Sequence, residues 1–231
     1  MRTPRAAAFA GIAFSVLFTA ALILVRLAVP SDPEGADDWL NEGGKRDAVI
    51  LALNLLPFAG IAFLWFIGVV RDRMGHGEDR LFATVFLGSG LLFIAMLFAA
   101  GAISAGLVLV ASDLSSSGVW SFGRRVSFTL LTTYAMRMAA VFALSTTTIV
   151  TRLGMAPRWI TVLGVAAGII LLVSEGVIPW VEVIFPAWVF VISAHILVVS
   201  FRSGGTPAPG ADRGVSAITR RLAMRITRYR C

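Results

Sequence analysis

Hydrophobic residues fall along this chain in six long runs separated by short polar stretches. The runs are Ala6–Val29, Ala48–Val70, Leu81–Ala111, Val126–Val150, Trp159–Ile178 and Val181–Phe201. At a rise of ~1.5 Å per residue, about 20 apolar residues cross the ~30 Å hydrocarbon layer of a bilayer. Each run is therefore predicted to be a membrane-crossing helix. The fold class expected is all-α, a six-span transmembrane helical bundle. The first run competes with a secretory signal peptide, whose apolar core is only ~7–15 residues and precedes a small-x-small cleavage site. This run is longer and ends on Leu27-Ala28-Val29-Pro30, so a retained span is expected. The third run exceeds the bilayer thickness and must tilt or project beyond it.

The polar stretches set the connections. Pro30–Asp47 carries Asp32, Glu34, Asp37, Asp38, Glu42 and Asp47. Its prolines and the Gly43-Gly44 pair argue against regular structure through most of it. The acidic spacing is not that of a calcium loop, so a solvated loop is expected, with no metal or other cofactor. Arg71–Arg80 is a compact turn with an exposed His76, and Ser112–Arg125 is a serine-glycine loop carrying Trp120. Pro57 predicts a kink in the second span. The chain divides into a bundle, residues 1–203, and a basic tail, 204–231. In the tail, Val215, Ile218, Leu222, Ile226 and Tyr229 share one helical arc, flanked by Arg220, Arg221, Arg225 and Arg228. That pattern predicts an amphipathic helix lying on anionic lipid head groups.

Composition agrees: 58% of residues are hydrophobic and the mean hydropathy is +0.86, too apolar for a soluble domain. The net charge of +7 is carried almost wholly by arginine, with Lys45 the only lysine. That skew suits a bacterial protein. The arginines sit at loop ends and in the tail, which is not the footprint of a nucleic-acid interface. Six spans put both termini on one side. With the N-terminus inside, the start, the Arg71–Arg80 loop, Arg152, Arg158 and the tail place 14 basic residues inside, against Arg26, Lys45, Arg46, Arg124 and Arg125 outside. The positive-inside rule then gives N-in, C-in. Trp39, Trp120 and Trp180 fall at the outer interface and Trp159 at the inner one. Cys231 is the only cysteine, which excludes an internal disulfide and a cysteine zinc site.

One charge lies where hydrocarbon should be. Arg137 is about eleven residues into the fourth span, ~16 Å deep, amid Thr132, Thr133, Tyr134 and the run Ser145–Thr148. Thr133, Tyr134, Ala140, Ser145 and Thr148 share the Arg137 face of the span, and Phe128, Leu131, Met138 and Phe142 occupy the other side. Arg137 should then point into the bundle. Glu175, near the outer end of the fifth span, leans inward as Arg137 leans outward, so an Arg137–Glu175 ion pair is expected, with Tyr134 or Asn54 as further ligands. Glu182 is the competing carboxylate. The pair serves either to hold helices together or to gate a path.

No Walker loop, HExxH or G-x-S-x-G is present. A six-span rhomboid-like protease would pair a serine in GxSG on the fourth span with a histidine on the sixth. Ser193-Ala194-His195 lies on the sixth, but the fourth lacks GxSG, so His195 is read as a packed histidine. The stretch Asn54-Leu55-Leu56-Pro57-Phe58-Ala59-Gly60 leads through Arg71-Asp72-Arg73 and Glu78-Asp79-Arg80 into Phe86-Leu87-Gly88-Ser89-Gly90. It resembles an uncharacterised family of small bacterial integral membrane proteins. That resemblance covers the second and third spans and implies a fold type and an inner-membrane location, but no activity. The expected function is a non-enzymatic inner-membrane bundle, either a small transporter or channel or an accessory subunit. The alternative is an intramembrane Ser/His enzyme. Expected partners are the bilayer, anionic head groups at the tail, and further copies or subunits of a membrane complex.

Overall fold

The computed structural model describes residues 3–29, 43–74, 80–109, 118–152, 154, 157–174 and 180–203. Every regular element among them is helical: α1 Thr3–Ala28, α2 Gly43–Met74, α3 Arg80–Leu109, α4 Gly118–Thr129, a π-turn Leu130–Ala135, α5 Met136–Arg152, α6 Arg158–Val173, a 3₁₀ turn Val181–Val183, and α7 Ile184–Ser203. α4, the π-turn and α5 run on as one rod, Gly118–Arg152. Five of these segments are long and apolar enough to cross a membrane, and α6 is a shorter apolar helix of 16 residues. The chain forms two compact units, Met1–Leu197 and Val198–Cys231. The tail with its predicted surface helix, and Glu175, lie outside the described residues.

Two helices begin earlier than the hydropathy pattern predicts. α2 starts at Gly43, inside the stretch expected to be irregular. Its first turn carries backbone N–H groups that have no helical acceptor in any case, and glycine is tolerated there. The fourth rod starts at Gly118, well ahead of Val126. Its opening turns are amphipathic, with Trp120 buried while Ser121, Phe122 and Arg125 are exposed. An average over such a face hides a helix. α2 runs on through Pro57 as one helix.

Phenylalanine builds the core. Phe14 and Phe18 on α1, Phe63 and Phe66 on α2, and Phe86 and Phe93 on α3 are spaced at three, four or seven residues, so each pair shares a helix face. Phe142 on α5 and Phe185 on α7 complete the set, and all eight are fully buried. Phe63 is the hub. Its ring lies 4.6 Å from Phe14, 5.0 Å from Phe142, 5.2 Å from Phe93 and 5.7 Å from Phe185. Phe86 stacks on Phe142 at 4.8 Å, and Trp188 on Phe185 at 6.3 Å. Phe14, Phe63 and Phe142 sit ~12–15 Å along their helices from Arg5, Arg71 and Arg152, about half the bilayer depth.

Lipid is as apolar as these rings, so close packing rather than exclusion from water must hold the helices together. Glycine makes that approach possible at Gly164 and Gly168, four residues apart in a GxxxG spacing on α6. A Cβ on Gly164 would overlap the Thr147 hydroxyl and come within 2.9 Å of Trp188 Nε1, and one on Gly168 would sit 2.5 Å from Leu144 Cγ. The motif therefore packs α6 against α5 and α7 of its own chain. On α3, Ser127 reaches across from α4 to donate to the Ala100 carbonyl at 2.8 Å and pairs with Ser104 at 2.6 Å.

The π-turn changes which residues face inward. In α4, Trp120 and Ser127 are buried one heptad apart, and a regular helix would bury Leu131 and Tyr134 next. Instead Thr132 and Ala135 are buried, a shift of one residue, and the buried set then continues through Met136, Ala139, Ala140 and Ala143. One extra residue in the turn produces this shift. It corrects the face assignment of the fourth span: Tyr134 is 54% exposed, whereas Phe142 is wholly buried.

Candidate functional site

Among the described residues, Asn54, Tyr134, Glu182 and His195 lie in separate places rather than around one centre. Arg137 follows the π-turn directly and is partly buried. Asn54 lies on the exposed side of α2, where its Nδ2 donates to the Ile50 carbonyl of the same helix at 3.0 Å. Tyr134 points out of the bundle. Neither is a ligand of Arg137 among the described residues. His195 is partly buried near the other end of α7, edge-on to Trp159 with ring centres 6.2 Å apart. Glu182 belongs to a different arginine.

That arginine is Arg26, at the last turn of α1. Its guanidinium lies 3.3 Å from both carboxylate oxygens of Glu182, in the 3₁₀ turn that leads into α7. Glu182 is buried, at 4% exposure, and Arg26 is about one-third exposed. The Arg26 guanidinium also lies 5.7 Å from the Trp180 ring centre. Trp180 has φ 69°, a left-handed conformation that a bulky residue adopts at a cost of roughly 1–2 kcal/mol. That backbone turns the chain abruptly into the 3₁₀ turn. The result is a clamp between the end of α1 and the start of α7. Burying a carboxylate without a partner is costly, and the Arg26 guanidinium supplies the partner here. In the sequence Arg26 and Glu182 lie at the same predicted membrane level. That shared level is the signal the sequence carries for this pair.

A second polar locus lies where α5, α6 and α7 meet. Most of the hydroxyl run turns back on its own helix: Thr146 donates to the Phe142 carbonyl at 2.7 Å, Thr148 to Leu144 at 2.9 Å and Thr151 to Thr147 at 2.7 Å. Thr147 does not. Its Oγ1 and Trp188 Nε1 are buried against Gly164, and neither has a hydrogen-bond partner among the described residues. Ser193 Oγ is likewise buried and unpartnered, pressed under Gly11 of α1. Ser193 and His195, two positions apart on α7, point in different directions. Among the described residues no three His, Cys, Asp or Glu side chains gather as metal ligands.

Among the described residues, the chemistry on offer is the part-buried Arg26–Glu182 pair, a few hydroxyls bonded to helix carbonyls, and a large aromatic core. Among the described residues, Ser193 Oγ has no hydrogen-bond partner and His195 packs against Trp159. No protein-family model matches the chain, and no curated protein or solved structure matches it.

Proposed function

We propose that this chain is a multi-pass protein of the bacterial cytoplasmic membrane, a six-span bundle with both termini inside, acting as a non-enzymatic accessory subunit. The observation that carries the reading is the aromatic core. Eight fully buried phenylalanines from α1, α2, α3, α5 and α7 pack into one core, with Phe14, Phe63 and Phe142 near mid-depth. A transporter or channel needs polar groups lining a hydrated path at that level. Here Asn54 and Tyr134 lie outside the bundle and rings fill its middle. An intramembrane Ser/His enzyme finds no support either, since Ser193 sits under Gly11 and His195 against Trp159.

Three contacts favour six crossings. Arg26 at the end of α1 meets Glu182 before α7, Arg152 at the end of α5 lies 4.4 Å from the Phe82 ring at the start of α3, and Trp159 at the start of α6 meets His195 late in α7. Ends that touch lie on one side, so four crossings separate Arg26 from Glu182, and α6 has to be one of them. The positive-inside count then puts the termini inside, and the basic tail meets anionic head groups. The bacterial assignment rests on the arginine skew and on the resemblance carried by the second and third spans.

Reconstitution in liposomes holding a pH-sensitive dye tests the reading. Proton and potassium leak should not exceed that of protein-free vesicles. A leak that Arg137→Met abolishes would overturn it in favour of transport.

A further inference from the structure

In α2, Ile50, Asn54, Pro57, Ile61, Leu64, Gly68 and Arg71 follow at alternating steps of four and three, and all seven are exposed. Ala52, Ala59, Phe63, Phe66 and Val70 occupy the buried side. An outward face of this period is ordinary lipid-facing surface when it is apolar throughout. Asn54 breaks that condition. It lies ~8 Å along the axis from the centre of the apolar run, within the hydrocarbon layer. Among the described residues its amide makes one hydrogen bond, to the Ile50 carbonyl of its own helix. The Oδ1 acceptor and the second N–H remain, on the exposed side. Three residues on, Pro57 has no N–H, so the Leu53 carbonyl loses its helical donor on the same part of the helix. Hydrocarbon supplies neither donors nor acceptors, and an unmet polar group there costs several kcal/mol.

An amide is its own complement. Two Asn54 side chains related by a two-fold axis each donate an N–H to the other's Oδ1. Asn54, Ile61 and Gly68 are one heptad apart, so they return to a single seam between two helices, where one asparagine fixes register. A Cβ on Gly68 would meet nothing within 4 Å, which leaves its backbone open to close approach by a second helix.

We infer that two copies of this chain pair through α2 as a parallel dimer, with Asn54 against Asn54 in the seam. Both copies insert the same way, so the two-fold axis is normal to the membrane. The inference requires only that α2 crosses the bilayer, and it does not depend on the accessory role.

The test uses the full chain with Cys231→Ser, reconstituted in bilayers at a low protein-to-lipid ratio. With Ile61→Cys added, mild oxidation should give a disulfide-linked dimer. Ile169→Cys on the exposed side of α6 should not. Asn54→Leu, in the Ile61→Cys background, should weaken association about tenfold, and Asn54→Gln should preserve it. Asn54 is exposed, so thermal unfolding of the Asn54→Leu chain should match the parent, and equal melting separates lost pairing from a lost fold. A chain that stays monomeric, that cross-links through Ile169, or whose dimer ignores Asn54→Leu would overturn the inference. A different protein as the true occupant appears here as the monomer result. Liposome leak is unaffected by any of these outcomes, so failure of the dimer and failure of the accessory reading are told apart.

Discussion

Truncating Phe63 to alanine removes the hub of the core. The ring touches five others, at 4.6, 5.0, 5.2, 5.7 and 6.1 Å from Phe14, Phe142, Phe93, Phe185 and Phe66. In a soluble protein such a change costs about 3–5 kcal/mol, part of it transfer out of water. In a membrane the separated helices stay in lipid, so most of that transfer contribution disappears. The cavity remains: ~100 Å³ at ~24 cal/mol per Å³ gives about 2.4 kcal/mol. Lost ring contacts add about 0.5–1.5 kcal/mol each but overlap heavily, so one further unit is a fair total. The expected loss is therefore about 3 kcal/mol for Phe63→Ala and below about 0.5 kcal/mol for Phe58→Ala, whose ring is 63% exposed one turn away. Unfolding by SDS in mixed micelles, followed by circular dichroism, measures both. Equal destabilisation of the two variants would refute the packing account, because they remove the same side chain from opposite faces of one helix.

Further outcomes follow from the polar contacts and the close approaches. Arg26→Met and Glu182→Gln should each destabilise the bundle, Arg26→Met by about 3 kcal/mol because it strands a buried carboxylate, and the double variant should recover part of the loss in a mutant cycle. Gly164→Ala should lower the unfolding midpoint by forcing α6 away from Thr147 and Trp188, while Gly88→Ala, where a Cβ meets nothing within 4 Å, should not. If Arg137 and Glu175 are paired, Arg137→Met with Glu175→Gln should be better folded than the sum of the single changes predicts; additivity would leave them uncoupled. Reporters fused after Gly43 and after Gly204 should read as periplasmic and cytoplasmic respectively, and the reverse at either position would break the six-span arrangement.

Helix positions were legible because hydropathy is a property of neighbours in sequence. Leu81–Ala111 anticipates Arg80–Leu109, and Ala6–Val29 anticipates Thr3–Ala28, to within three residues at each end. The amphipathic opening of the fourth rod was not, because its polar half cancels Trp120 and Val119 in any average. The interior was less legible still. A helical wheel assumes an unbroken period, and the π-turn at Leu130–Ala135 shifts it by one residue. That shift puts Tyr134 outside and Phe142 in the core. The spacing of Phe14 with Phe18, and of Phe63 with Phe66, does mark shared faces, but phenylalanine is equally at home against lipid, so the sequence does not say which side is core. The Arg26–Glu182 pair joins positions 156 residues apart; their shared membrane level in the sequence permits the contact, and the packing of α1 beside α7 makes it.

The central claim is that the middle of the bundle is dry. Ala139 and Ala143 on α5 are fully buried beside the aromatic core. In a Cys231→Ser background, Ala139→Cys and Ala143→Cys should resist a membrane-impermeant thiol reagent from either side of intact vesicles and react once SDS unfolds the chain. Arg158→Cys, exposed at the start of α6, should react without unfolding. Reaction at Ala139→Cys or Ala143→Cys in the folded protein, at a rate near that of Arg158→Cys, would show a water-filled path through the bundle and contradict the account.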